Sequence, residues 1–353
     1  FSRSDTYLLV AAMMDCCVSG QKRDHWLPFG ADTVTLLDPS VLHVPTPELT
    51  PRVIPSKSSW LRFAEPAQTL IFLDWDDTLF PSSELFDRWG LSSKGARAED
   101  PALSDERLRS LVVWRTSIRQ FLEEACSLSD RCVIVTNAAR PWVHNAIDRF
   151  APELRELFDD AEHGPSVVYA RDVFEKHRSR TQGMDFRPCS FSQQHEMEQN
   201  DEMMTAKYLA MKRECTKFYS HYPGQSWKNI LSFGDTQCDR DAVQEVAFRR
   251  SAPEVERLRT KTVVLPTDPR ISDLCLNLDL LRLSLPARVA LDDDLDINLR
   301  DCRDPLEMFS RGLNVPCLRH VDFPRHVGGG GLKPDEGEVA RALDQILELL
   351  SEW

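Results

Sequence analysis

Acidic side chains two residues apart stand at Asp74 and Asp76, inside the run Asp74-Trp75-Asp76-Asp77-Thr78-Leu79 that follows the apolar stretch Leu70 to Leu73. Two carboxylates facing one pocket repel each other, and that repulsion with partial burial pushes one of them toward its protonated form. The result is an ionised nucleophile beside a proton donor. In isolation an acidic turn capping a helix reads the same way. A second acidic group, Gly234-Asp235 with Asp239 and Asp241 close behind, follows the apolar run Ile230 to Phe233. Its carboxylates suit a hard divalent cation such as Mg²⁺, which takes one or two of them together with water and phosphate oxygens. The glycine lets backbone come near a ligand. A third apolar run ends in Val135-Thr136-Asn137, a hydroxyl and an amide able to donate to an anion, although Thr and Asn also open helices. Each signal has a bland reading alone. Together they are informative, because each follows a separate buried strand.

The elements that must position these groups alternate along the chain. Short apolar strands are predicted at Leu70 to Leu73, Cys132 to Val135, Val167 to Ala170, Ile230 to Phe233 and Thr262 to Leu265. Between them, helical spacing covers Ser104 to Cys126, Trp142 to Phe150 and Glu202 to Tyr219. In the first of these helices Leu108, Leu111, Val112, Ile118, Phe121 and Leu122 fall on one side, with Asp105 and Glu106 in the first turn, where the helix dipole favours anions. Pro141 suits the start of the second. Apolar strands separated by helices predict an α/β fold with a parallel sheet of about five strands, covered on both faces. In such sheets the reactive groups gather beyond the carboxyl ends of the strands, where strand order reverses.

Outside this block the pattern changes. Residues 1–66 carry recurrent prolines, from Pro39 to Pro55, and read as an extended arm. The polar stretch Arg178 to Asn200 lacks apolar rhythm and reads as a surface insertion into a domain spanning 67–300. Residues 301–353 read as a tail with a glycine hinge at Gly328 to Gly331. Beyond the hinge, an amphipathic helix carries its stripe at Val339, Leu343, Ile346, Leu350 and Trp353.

Charge and composition exclude several classes. With 43 Lys and Arg against 56 Asp and Glu, the formal charge is −13, which disfavours a nucleic-acid partner. The longest apolar run near the start, Tyr7 to Met14, is eight residues, too short to span a bilayer. Ten cysteines without a C-x-x-C pair read as thiols of a reducing compartment, which makes the cytoplasm the expected location. The adjacent Cys16 and Cys17 beside Lys22 and Arg23 are ordinary thiols or, less simply, an acylation site. The chain begins with Phe1, so no signal peptide is judged from it.

The three motifs together resemble the haloacid dehalogenase-like superfamily of phosphohydrolases over roughly residues 68–268, which implies a Rossmann-like three-layer domain with a small or absent cap. The family's first motif is matched by Asp74, Asp76, Thr78 and Leu79, its second by Thr136, and its fourth by Gly234, Asp235 and Asp239. Its third motif is a lone lysine. Lys207, placed near the predicted start of its helix, is favoured because a lysine there opposes the dipole, with Lys212, Lys217 and Lys228 as rivals. The wording of residues 226–235 looks like a group of such proteins in eukaryotic microbes, a likeness that implies no substrate.

The resemblance implies a Mg²⁺-dependent phosphatase acting on a phosphorylated substrate, with a phosphoprotein or other large molecule as the expectation. In it Asp74 is the nucleophile and Asp76 the acid and base. Thr136, Asn137 and Lys207 hold the phosphate. Asp74, the Asp76 carbonyl and Asp235 hold the metal, with Gly234 and Asp239 in support. The acid at Asp76 points to phosphate esters rather than carbon–halogen bonds. Two alternatives stand beside this expectation: a scaffold that binds partners through the proline-rich arm and the terminal helix, and a small-molecule phosphotransferase or nucleotide phosphatase.

Overall fold

The computed structural model describes residues 62–95, 100–181, 194–220, 226–250, 257–300, 305–313, 318, 321 and 336–351. The prolines of the N-terminal arm, Cys16-Cys17 and the four glycines at 328–331 lie outside these residues. Six strands form one parallel sheet: β1 (Thr69–Leu73), β2 (Arg131–Thr136), β3 (Ser166–Tyr169), β4 (Asn229–Gly234), β5 (Arg259–Val264) and β6 (Leu295–Asn298), in the order β3-β2-β1-β4-β5-β6. The chain runs outward from β1 to β3, then returns to the other side of β1 and runs outward again. The reversal therefore falls between β1 and β4, where Leu73 lies beside Phe233, and a crevice opens there beyond the strand ends.

Helices cover both faces. On one side pack α1 (Asp105–Ser127), α2 (Trp142–Phe150), the short α3 (Arg155–Asp159) and α7 (Ile271–Ala290), joined by α8 (Pro305–Leu313) and α9 (Glu336–Ser351). On the other lie α4 (Ala170–Thr181), α5 (Gln194–Phe218) and α6 (Gln237–Phe248). Alternate residues of β1 serve the two layers. Ile71 and Leu73 pack with Trp114, Ile118 and Leu274, whereas Leu70 and Phe72 pack with Met211, Cys215 and Val243. Each fully buried Leu, Ile or Phe contributes roughly 1.5–3 kcal/mol from its removal from water.

Several expectations are corrected. The sheet has six strands rather than five, because β6 is an edge strand that alternates buried Leu295 and Ile297 with exposed Asp296 and Asn298 and so shows no apolar run. Ala170 opens α4 rather than ending β3. In α1 the buried seam runs through Leu111, Trp114, Ile118, Phe121, Leu122 and Ala125, leaving Leu108 and Val112 at 47% and 57% exposure. The Ser104 hydroxyl caps α1 by accepting from the Arg107 N–H at 3.3 Å, worth about 1 kcal/mol. The polar stretch 178–200 is helical at both ends, in α4 to Thr181 and in α5 from Gln194, and residues 182–193 lie outside the described set. Ala342 and Ile346 of α9 are buried in the α1/α7 core, with Leu343 and Leu349 packed against it. Among the described residues, no helix is long and apolar enough to cross a membrane, and no second sheet interrupts the domain.

Candidate active site

β1 delivers Asp74 to the crevice, and the following loop is held by what it buries. Trp75 and Phe80 are fully buried and stack at 5.6 Å with rings 4° apart. The Leu79 and Phe80 N–H groups both donate to the Trp75 carbonyl, at 2.9 and 2.8 Å. The indole of Trp114 donates to the Leu79 carbonyl at 2.8 Å. Asp77 supplies the left-handed step of this turn, with φ 52°, a conformation Asp tolerates better than most residues. Its carboxylate accepts from the Ser83 N–H at 2.9 Å and the Ser83 hydroxyl at 2.5 Å. The loop therefore has its apolar residues pinned inward while Asp74 and Asp76 remain for chemistry.

Four groups then meet, Asp74 beyond β1, Asp235 beyond β4, Lys207 from α5 and Asp239 from α6. Lys207 Nζ lies 2.9 Å from an Asp74 oxygen and 2.5 Å from an Asp239 oxygen, and all three residues are buried. Asp74, Asp235 and Asp239 each present a carboxylate oxygen within 4.8 Å of the others. Thr236 donates its hydroxyl to the second Asp239 oxygen at 2.7 Å. Asp239 is thus committed to Lys207 and Thr236. Asp235 accepts no hydrogen bond from any described residue, although it is only 8% exposed. A buried carboxylate without a donor is costly. One lysine against three carboxylates leaves the cluster short of positive charge.

Proton affinities follow from this arrangement. Burial pushes Asp235 up to about 8, helped by the charges of Asp74 and Asp239. Burial also lifts Asp74 above the ordinary range, against the pull of Lys207. Asp239 is moved to about 6 by burial, again opposed by Lys207. For Lys207 burial acts to strip the proton, but Asp239 and Asp74 outweigh it and hold the ammonium. Asp76 is raised chiefly by burial, and its half-buried carboxylate accepts from the Trp142 indole at 2.9 Å.

The donor set fits Mg²⁺: hard carboxylate oxygens, two of them (Asp74 and Asp235) not fully engaged, in a site that burial makes hungry for a cation. The Asp76 side chain is not in this carboxylate group; it faces Trp142, which leaves only its main chain for the metal role expected of it. Thr136 is buried at the end of β2 with its hydroxyl accepting from Ala138 N–H at 3.0 Å, its own proton still available. Asn137 donates to the Met203 carbonyl at 3.4 Å, one helical turn before Lys207, and its Oδ1 is buried without a partner. Thr78 Oγ1 is likewise buried and unpartnered.

For two of the expected residues the structure gives a different physical reason for their place. Lys207 is the cluster lysine, yet α5 begins at Gln194, so Lys207 sits mid-helix and its partners, not the helix dipole, account for it. Of its rivals, Lys212 faces the Tyr208 hydroxyl at 3.1 Å. Gly234 is needed because a Cβ there would lie 2.3 Å from Asp239 Cγ; what approaches it is the supporting acid rather than a ligand. Trp142 was missed as a site residue. Its only sequence signal was an indole donor six residues after Thr136, where the helix resumes.

No family model, curated protein or solved structure matches the chain. Fold and site together define the class: a parallel α/β domain carrying a buried aspartate–lysine cluster at its topological switch point.

Proposed function

We propose that the chain is a Mg²⁺-dependent phosphatase that hydrolyses phosphate monoesters through a phosphorylated Asp74. The observation that carries this reading is the convergence of Asp74 and Asp235, just beyond β1 and β4, with Lys207 from the middle of α5 and Asp239 from the first turn of α6. Three carboxylates alone could be an acidic turn. A buried lysine bridging two of them at a switch point matches what a phosphoryl group requires, namely a nucleophile, a cation and a place for a metal.

An Asp74 oxygen attacks phosphorus as the bond to the leaving oxygen breaks, and Asp76 gives that oxygen a proton. Water then attacks the phosphorylated Asp74, passes a proton to Asp76 and releases phosphate. Lys207, with its charge held by Asp239, and the Thr136 hydroxyl steady the non-bridging oxygens. Asp239 keeps Lys207 aimed. Mg²⁺, when bound by Asp74 and Asp235, supplies charge neutralisation that lets an anionic carboxylate approach an anionic phosphate. The substrate we infer is a phosphoprotein or other large phosphate ester, a reading supported by the lack of a second, cap-forming sheet among the described residues.

The test is phosphate release from a panel of phosphopeptides, sugar phosphates, nucleotides and an aryl phosphate, with Mg²⁺ and with chelator. Turnover that needs Mg²⁺ and falls at least about a thousandfold in Asp74→Asn supports the reading. Retained Mg²⁺-dependent turnover by Asp74→Asn refutes it.

A further inference from the structure

The Asp76 carboxylate takes a hydrogen bond from Ser82 in its own loop, and among the described residues the donor that reaches it from another element is Trp142. The Trp142 indole N–H donates to Asp76 Oδ1 at 2.9 Å. Both side chains are half-buried. The indole has little freedom to leave this bond. Its ring meets Phe80 edge-on at 5.8 Å and 87°, and Phe86 at 5.5 Å and 52°. Its backbone is fixed at the head of α2, where Trp142 N–H donates to the Ala139 carbonyl at 2.9 Å and Val143 N–H donates to the Tyr169 hydroxyl at 3.2 Å. Phe80 in turn closes the turn that carries Asp76, through the Asp77 N–H bond to its carbonyl at 2.7 Å. The loop after β1 and the helix after β2 are thus locked together through one carboxylate and one aromatic cluster.

We propose that Trp142 is the positioning residue for Asp76, holding Oδ1 so that Oδ2 is the oxygen that hands over and recovers the proton. This rests on the phosphatase reading above. In the first half-reaction the Oδ2–H bond breaks, and its proton goes to the leaving oxygen as that oxygen parts from phosphorus and the Asp74–phosphorus bond forms. In the second, water oxygen bonds to phosphorus, one water proton returns to Oδ2, and the bond to Asp74 breaks. An acid free to rotate would present the wrong oxygen for part of the time. Misplacement of about 1 Å is known to cost rate on the scale of a hundredfold.

Trp142→Phe keeps the ring in its aromatic cluster and removes only the N–H. Its effect should depend on the leaving group. An alkyl phosphate such as glycerol phosphate needs a proton at the departing oxygen, whereas p-nitrophenyl phosphate departs as a stable anion. The variant should lose about tenfold in kcat/KM on the alkyl ester and less than about threefold on the nitrophenyl ester. Asp76→Ala should show the same split, enlarged. Equal losses on the two esters, or no loss on either, would overturn the role of Trp142 alone. No turnover of either ester by the unmutated chain would instead sink the phosphatase reading and the role with it. The contact has its own readout, whether or not the variant folds: the Trp142 indole ¹H–¹⁵N resonance should move in Asp76→Ala, and an unmoved resonance would overturn the proposal.

Discussion

Of the three lysines buried among the described residues, Lys207 and Lys261 lie near opposite ends of the sheet and behave as opposites. Lys207, beyond the carboxyl ends of the strands, touches Asp74 and Asp239 and keeps its proton firmly. Lys261, low on β5, is 1% exposed and donates to two neutral oxygens, Asn229 Oδ1 at 2.5 Å and the Val289 carbonyl at 3.2 Å. Burial, with Arg259 nearby, pushes it down to about 7. Arg259 itself is taken by Asp292, with its Nε 2.6 Å from Oδ1. Burial thus does not decide what a lysine is for; its partners do. At one end the chain keeps a fixed cation beside surplus carboxylates, the site proposed above for phosphate and metal. At the other, an amine serves as a hydrogen-bonded strut in the core, sealed from any substrate.

The sharpest way to break this contrast is Lys207→Met. It should abolish turnover, by a factor of at least about a hundred, as expected for loss of a buried electrostatic donor. It should also lower stability by about 3 kcal/mol, because Asp74 and Asp239 are left buried without their counter-charge; denaturant unfolding checks the second figure. Gly234→Ala comes next. A methyl placed 2.3 Å from Asp239 Cγ must displace that side chain, so Lys207 loses one of its two anchors. Stability should fall by about 2 kcal/mol, with a loss of about tenfold in activity.

A smaller and pH-dependent effect belongs to Asp235. Its proton is held up to about 8 in the folded chain, above the ordinary 3.8, so the native state binds more protons than the unfolded one and its stability falls as pH rises between those values. Mg²⁺ competes with that proton. The rise in melting temperature produced by Mg²⁺ should therefore grow from pH 6 to pH 8, and it should vanish in Asp235→Asn. The least effect on activity is expected from Lys261→Met. The native state holds fewer protons than the unfolded chain between about 7 and the ordinary lysine value of 10.5, so the wild type gains stability as pH rises across that window. The variant should lose this slope and keep its turnover.

How legible was this in the sequence? β1, β2 and β4, buried on both faces, announce themselves as apolar runs, and the acidic ends of β1 and β4 name Asp74 and Asp235, whereas β5 opens on Arg259-Thr260-Lys261 and shows an apolar run only at its end. β6 shows none, since an edge strand shows only half its residues to the core. Lys207 could be chosen, but a lone lysine carries no periodic signal, and only the packing of α5 on α6 brings it to Asp239. Gly234 was visible as a glycine, while the side chain it makes room for lies five residues onward, around a turn. The Trp142–Asp76 bond joins residues 66 apart and had no pattern to betray it. Local chemistry shows in sequence; which distant groups touch is decided by the sheet order.

The account stands or falls on Asp74 as the group that takes the phosphoryl. The wild-type chain mixed with a turned-over ester and Mg²⁺, quenched in acid, reduced with borohydride and digested should yield a peptide with homoserine in place of aspartate at position 74. Turnover with an unmodified Asp74, or with the phosphoryl group recovered on another residue, would contradict it.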